Sequence, residues 1–155
     1  MKQRIQVTLA ALKTLADHMN RATGRKSIVW ITGGFPQIQA YDRAIDSVLR
    51  KINESNVAVY PVDARGLMLG SGAGNLQTLD RFAESTGGRA FYNGNGVATA
   101  IESAIEDSKS TYVIGFYLGE HERDRGFHEL KVEVDRPGAV LRYRRGYSPG
   151  HASQN

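Results

Sequence analysis

Side chains that could bind a ligand lie in three short segments, each following a predicted strand. In open α/β sheets the carboxyl ends of parallel strands meet at one edge, and ligands bind there. We therefore expect these three loops to lie together and to form the place where any ligand binds. Their candidate binding residues are Thr32, Gly33, Gly34, Asp63, Arg65, Asn93 and Asn95. Tight turns explain the glycines more simply than a phosphate cradle, because neither glycine-rich loop matches a phosphate-binding fingerprint.

Asp63 is the carboxylate of this set. It could stand alone at a binding rim. A single carboxylate at the end of a strand more often caps a turn or pairs with a neighbour such as Arg65. We favour this structural interpretation.

Catalytic chemistry has little support in the sequence. The histidines are His18, His121, His128 and His151, and none stands in a nucleophile elbow, since the chain has no Gly-x-Ser-x-Gly. His121 with Glu122 and His128 with Glu129 could meet across a hairpin as a weak transition-metal site. A solvated charged turn is the simpler explanation, because a mobile loop lacks the rigid surroundings that hold metal ligands. We therefore predict that the chain is not an enzyme and needs no cofactor or metal.

The composition and net charge of the chain limit the kinds of partner that it is expected to bind. The chain has 155 residues, 41% apolar residues, no cysteine and a formal charge of +4, as expected for a single globular domain without disulfides. Part of the positive charge comes from Arg142, Arg144 and Arg145. Their segment could contact an anionic surface, but it is more simply an exposed strand edge that the arginines protect. This mild charge argues against nucleic-acid binding, and no apolar run is long enough to span a bilayer.

The predicted elements alternate between helices and strands up to about residue 109. The runs Ile28–Ile31 and Val57–Val62 are continuously apolar, as in parallel strands covered by helices, and residues 89–92 predict a third short strand. From Thr111 onward, three strands are predicted at 112–118, 127–134 and 140–147. The predicted fold class is thus α/β, a Rossmann-like three-layer parallel sheet with helices on both faces, followed by a three-stranded antiparallel β extension.

The order of these segments resembles the second half of a von Willebrand factor A domain. The resemblance is carried by Arg25 to Gly34, by Val57 to Leu67 and by Ala83 to Tyr92. The extension, from Ser110 to Phe116 and at Arg145-Gly146-Tyr147, is similar to a subgroup of such domains abundant in Acidobacteria. The resemblance implies one truncated domain over residues 1–149, divided at 109/110, with a frayed tail at 150–155. It also suggests an exported bacterial parent protein, although the residues themselves name no compartment.

Two departures from the family bear on metal binding. The family's first strand, with its Asp-x-Ser-x-Ser loop, has no equivalent here. In the turn after Ile31, Gly33 stands where the family often has an Asp. Because hard divalent cations prefer carboxylates and waters, the hydroxyl of Thr32 alone is a poor substitute. We therefore predict no metal site of the family's type.

The missing first strand also has a mechanical consequence. In the family's sheet it lies beside the strand formed here by Ile28, Val29, Trp30 and Ile31, so this strand is expected to present an unpaired apolar edge. Such edges recruit another strand or aggregate. We expect the chain to form a homo-oligomer through this edge, or to be a fragment whose remainder covers it. The predicted function is a non-enzymatic protein-interaction or adhesion-type module. The alternative is an assembly domain that only completes its own sheet.

Overall fold

The computed structural model describes residues 2–36, 38–65, 73–92, 96–109, 111–112, 114–119 and 128–147. Two parallel strands form its centre, β1 (Lys26–Thr32) and β2 (Val57–Asp63), paired from Lys26 opposite Val57 to Thr32 opposite Asp63. The helices are α1 (Lys2–Met19), α2 (Asp42–Glu54), α3 (Ala73–Thr86) and α4 (Gly96–Lys109), with a 3-10 turn at Gln39–Tyr41. The fold is therefore mixed α/β.

The two sides of the β1–β2 pair pack against different helices. Successive side chains of a strand point to opposite faces. On one face Val57 and Val59 join a core with buried residues of α1, α2 and α3, among them Ile5, Leu9, Ile45, Ile52 and Phe82. On the other face Ala58, Tyr60 and Val62 pack with Phe91 and with Ala100 and Ala104 of α4. Every residue of β2 is consequently buried.

Aromatic side chains pack against each other in the core on one face of β1. Trp30 meets Phe35 and Phe82 edge to face, with ring centroids 5.5 Å and 5.3 Å apart. Each such pair stabilises the fold by about 0.5–1.5 kcal/mol beyond the contribution of the apolar area that it buries. The chain after β1 is therefore fixed against α3 by Phe35, which is 3% exposed.

The predicted third parallel strand is shorter than expected. Instead of a strand over residues 89–92, Phe91 forms a single parallel bridge with Val62. The Phe91 amide donates to Pro61 O at 2.8 Å, and the Asp63 amide donates to Phe91 O at 2.9 Å. The next described element, α4, begins at Gly96, where an added Cβ would lie 3.3 Å from both Phe91 and Val62.

The predicted three-stranded extension is also less regular. Strand pairing in the described part of residues 110–147 consists of β3 (His128–Glu129) antiparallel to β4 (Gly146–Tyr147). Residues 111–112 and 114–119 have no regular structure, and His121 and residues 148–155 lie outside the described ranges. The physical reason is that Tyr112, Ile114 and Tyr117 are largely exposed, so no buried face holds them in a ladder.

Candidate functional site

The carboxyl ends of β1 and β2 lie together, as the sequence predicted. The Ala64 amide donates to Thr32 O at 2.8 Å, and the Asp63 amide is bonded to Phe91 O. The loops after β1 and after β2 are therefore neighbours. The third loop contains Asn93 and Asn95, which lie outside the described residues. The residues that flank it, Phe91 and Gly96, both lie against Val62.

Asp63 is 5% exposed and is held by Arg65. The guanidinium donates from Nη2 to Oδ2 at 2.6 Å and from Nε to Oδ1 at 2.9 Å, and the Arg65 amide donates to Oδ1 at 3.1 Å. These hydrogen bonds lower the pKa of Asp63, against the opposing effect of burial. The carboxylate thus has the partner that the structural interpretation expected, and its oxygens are occupied.

The turn after β1 fits around the same arginine. Gly34 has a φ of +100°, and a Cβ there would lie 2.9 Å from Cζ of Arg65. A side chain at Gly34 would therefore displace the guanidinium as well as strain the backbone. The Thr32 hydroxyl donates to Gly34 O at 3.3 Å, so it serves the turn. At Gly33, by contrast, an added Cβ would meet no atom within 4 Å.

Tyr92 joins this end of the sheet to α3. Its hydroxyl donates a hydrogen bond to Asp80. Burial and this carboxylate raise the pKa of Tyr92. The phenol therefore stays protonated and acts as a structural donor.

Groups suited to metal binding or acid–base chemistry are sparse. Among the described residues, no three His, Asp or Glu side chains cluster as a metal site. His18 is exposed on α1, and the His128 ring stacks on Tyr147 with centroids 5.2 Å apart. His121, Glu122 and His151 fall outside the described ranges, so the proposed His/Glu pairing across a hairpin is not described.

The four predicted interface residues, Ile28 to Ile31, form the middle of β1. Ile28, Val29 and Trp30 are half-buried, and Ile31 is 53% exposed. Among the described residues, β1 has β2 as its strand neighbour on one side and none on the other.

Backbone hydrogen bonds show which groups face the open side of β1. The Lys26 amide donates to Asn56 O, and Thr32 O accepts from Ala64, so these even-numbered residues face β2. Backbone groups of a parallel strand alternate in direction. The amides and carbonyls of Ser27, Val29 and Ile31 therefore point away from β2.

Sequence reasoning missed the contacts that dock the C-terminal segment. Tyr60 of β2 donates to Oδ2 of Asp107 at 2.8 Å, and Arg142 pairs with Oδ1 of the same carboxylate. Arg145 pairs with Glu84 of α3. Arginines that were expected to protect an open edge thus bind carboxylates on α4 and α3. No local signal could reveal this, because the Arg142 and Asp107 partners are 35 residues apart.

No helix among the described residues is long and apolar enough to cross a membrane. The chain matches no protein-family model, no curated protein and no solved structure. Its resemblance to the von Willebrand factor A family therefore stays a prediction from the motifs.

Proposed function

We propose that this chain is a non-enzymatic protein-interaction module of the von Willebrand factor A type that binds a partner strand along the open side of β1. The observation that carries the proposal is the one-sided pairing of β1 within the described residues. Three successive outward-facing residues, Ser27, Val29 and Ile31, present amides and carbonyls there. A strand added at such an edge gains main-chain hydrogen bonds, and its side chains supply specificity.

Exposed apolar side chains on the same face of the sheet support this proposal. Val29 packs on the core that α4 covers, and Ile31, two residues on, shares that face. On α4 itself, Val97, Ile101 and Ile105 are 36–51% exposed and recur every four residues. Residues at this spacing form one stripe along a helix. A partner that covered both the edge and this stripe would bury apolar surface in addition to pairing with the strand.

The proposal includes the finer fold. In it, the β1–β2 pair and the Phe91 bridge belong to a three-layer sheet of the Rossmann type whose next strand comes from the partner. The pair of β3 and β4 then belongs to a three-stranded antiparallel extension. Supporting this arrangement, α4 and the α1–α3 group pack on opposite faces of the strand pair.

A second copy of the chain is the alternative partner. Every copy presents the same edge and the same apolar stripe on α4. Two identical edges related by a two-fold axis would pair β1 with β1 antiparallel. This would make the chain an assembly domain that completes its sheet without a small ligand.

Light scattering over a wide concentration range, with two variants at one position, tests the proposal. Ile31→Pro removes an outward amide and leaves the ladder to β2 intact, whereas Ile31→Ala shortens the side chain and keeps the amide. A dimer that is lost with proline and kept with alanine identifies self-assembly. For a monomer, we expect fast amide exchange at Val29 and Ile31 and slow exchange at Trp30. Slow exchange at all three residues in a monomer would show that the chain covers its own edge, and the proposal would fail.

A further inference from the structure

A small polar pocket lies at the end of the sheet opposite to the strand-end loops. It is lined by Arg25, Asn53, Asn56, Val57, Ala58, Thr86 and Arg144. Four separate parts of the chain meet there: the residue before β1, the turn between α2 and β2, the end of α3, and the C-terminal segment. The binding site considered above does not use any of these side chains.

Two guanidinium groups line this pocket, and each is anchored by a main-chain carbonyl. Arg25 donates from Nη2 to Gly87 O at 2.6 Å. Arg144 donates from Nη1 to Asn53 O at 3.4 Å. A guanidinium has five N–H donors, and these anchors use one from each group. Arg25 also interacts with the Tyr60 hydroxyl, which engages a second of its donors. Both arginines therefore keep donors for a further acceptor.

The charge of these two arginines is not balanced by a carboxylate within the described residues. The neighbouring arginines of the same segment differ, because Arg142 pairs with Asp107 and Arg145 pairs with Glu84. Asp107 also accepts the hydroxyl of Tyr60, so its two oxygens are engaged. Two positive groups that line one small pocket favour the binding of an anion there.

Two other polar side chains of the lining are held by the protein itself. The hydroxyl of Thr86 is already used, since it accepts from the Val59 amide at 3.0 Å and donates to Phe82 O at 2.7 Å. These two hydrogen bonds fix the Thr86 side chain in place. The Asn53 amide nitrogen donates to Ser85 O at 3.1 Å, which fixes that side chain too. The two arginines thus bring free N–H donors to the pocket and no acceptors.

We propose that this pocket binds a single oxyanion, a phosphate or a carboxylate, between Arg25 and Arg144. Planar guanidinium groups bind both anions through paired N–H donors, and such charge-assisted hydrogen bonds are among the strongest in proteins. The anion would also join the segment that carries Arg144 to the start of β1. The site is independent of the β1 edge, so it can be tested on a monomer.

Calorimetric titration with sodium phosphate, and separately with sodium acetate, tests the site. The ionic strength is held constant with chloride, because unspecific charge effects depend on salt. The variants are Arg25→Gln and Arg144→Gln. Arg50→Gln is the matched control, since Arg50 is an exposed arginine of α2 and its loss changes the net charge equally. We expect at least about tenfold weaker binding in each pocket variant and unchanged binding in the control.

The two titrations separate the sources of the anion. Phosphate binding that depends on both arginines identifies a phosphate-bearing ligand, and acetate binding with the same dependence identifies a carboxylate. If Arg25→Gln unfolds, Arg144→Gln still tests the site. Arg144 is exposed, and its hydrogen bond to Asn53 O is long, so we expect its replacement to leave the fold intact. Absence of binding by both anions, or equal loss in all three variants, would overturn the proposal.

Discussion

The two central strands have the same length and pair residue for residue, but their surroundings differ. All seven residues of β2 are buried, whereas those of β1 are half-buried or, at Ile31, exposed. β2 has β1 on one side, the Phe91 bridge on the other, and helices on both faces. β1 has one strand neighbour among the described residues. Both apolar runs therefore predict strands correctly, but they do not show how deeply each strand is buried.

The largest expected difference between the strands concerns their stability. Val59→Ala in β2 should lower the free energy of unfolding by about 2–3 kcal/mol, because Val59 is 0% exposed and its loss leaves a cavity. Ile31→Ala in β1 should change it by less than about 0.5 kcal/mol. Urea unfolding of a dilute monomer measures both. A loss of about 2 kcal/mol at Ile31 in a monomer would show that its side chain is covered in solution, and the contrast would disappear.

The ion pair at the end of β2 should have the next largest effect. Arg65→Gln leaves the buried Asp63 carboxylate without its partner, and we expect a loss of about 2 kcal/mol at pH 7. This is below the usual cost of breaking a buried pair, because the Arg65 side chain is 21% exposed. Asp63→Asn combined with Arg65→Gln should recover part of the loss, since the double variant buries no unpaired charge.

The same pair determines how stability responds to acid. The pKa of Asp63 in the folded protein lies below its ordinary value of 3.8. Its contribution is therefore present above about pH 4 and is lost as the pH falls through the lowered folded value. Unfolding measured between pH 7 and pH 3 should show a smaller acid loss in Arg65→Gln than in the parent chain. An equal acid loss in both would mean that other carboxylates dominate.

Local pattern predicted the βα part of the chain well. The apolar residues of α1 recur at spacings of three and four; Ile5, Leu9, Leu12 and Ala16 are buried, whereas Leu15 is 46% exposed. The continuous runs of β1 and β2 correctly indicated parallel strands, and the pairing of Asp63 with Arg65 followed from their closeness in sequence. These features depend on contacts within an element or between neighbouring elements, and the local pattern of apolar and charged residues reflects such contacts.

The remaining features depend on distant contacts that no local pattern records. The alternation after Thr111 predicted three strands, but side chains such as Tyr117 find no face to cover them, and pairing is limited to β3 and β4. Arg25 and Arg144 lie 119 positions apart in the chain, and both line a pocket that no motif marks. The closeness of the carboxyl ends of β1 and β2 was predictable, because a general rule of parallel sheets places them at one edge. No comparable rule applies to the opposite end.

The smallest expected effect lies at Ser55, which caps the C-terminus of α2 two residues before β2. Ser55 is 1% exposed, and its Oγ has no hydrogen-bond partner within the described part of the chain. A buried hydroxyl without a partner costs free energy, so Ser55→Ala should leave the stability unchanged or raise it by up to about 1 kcal/mol. Ser27→Ala, at the start of the less buried β1, is the matched control and should change it by less than about 0.5 kcal/mol. Thermal and urea unfolding measure both variants. A loss of more than 1 kcal/mol in Ser55→Ala would mean that water or a residue outside the described ranges bonds to this hydroxyl, so that the buried turn between α2 and β2 has all its hydrogen bonds satisfied.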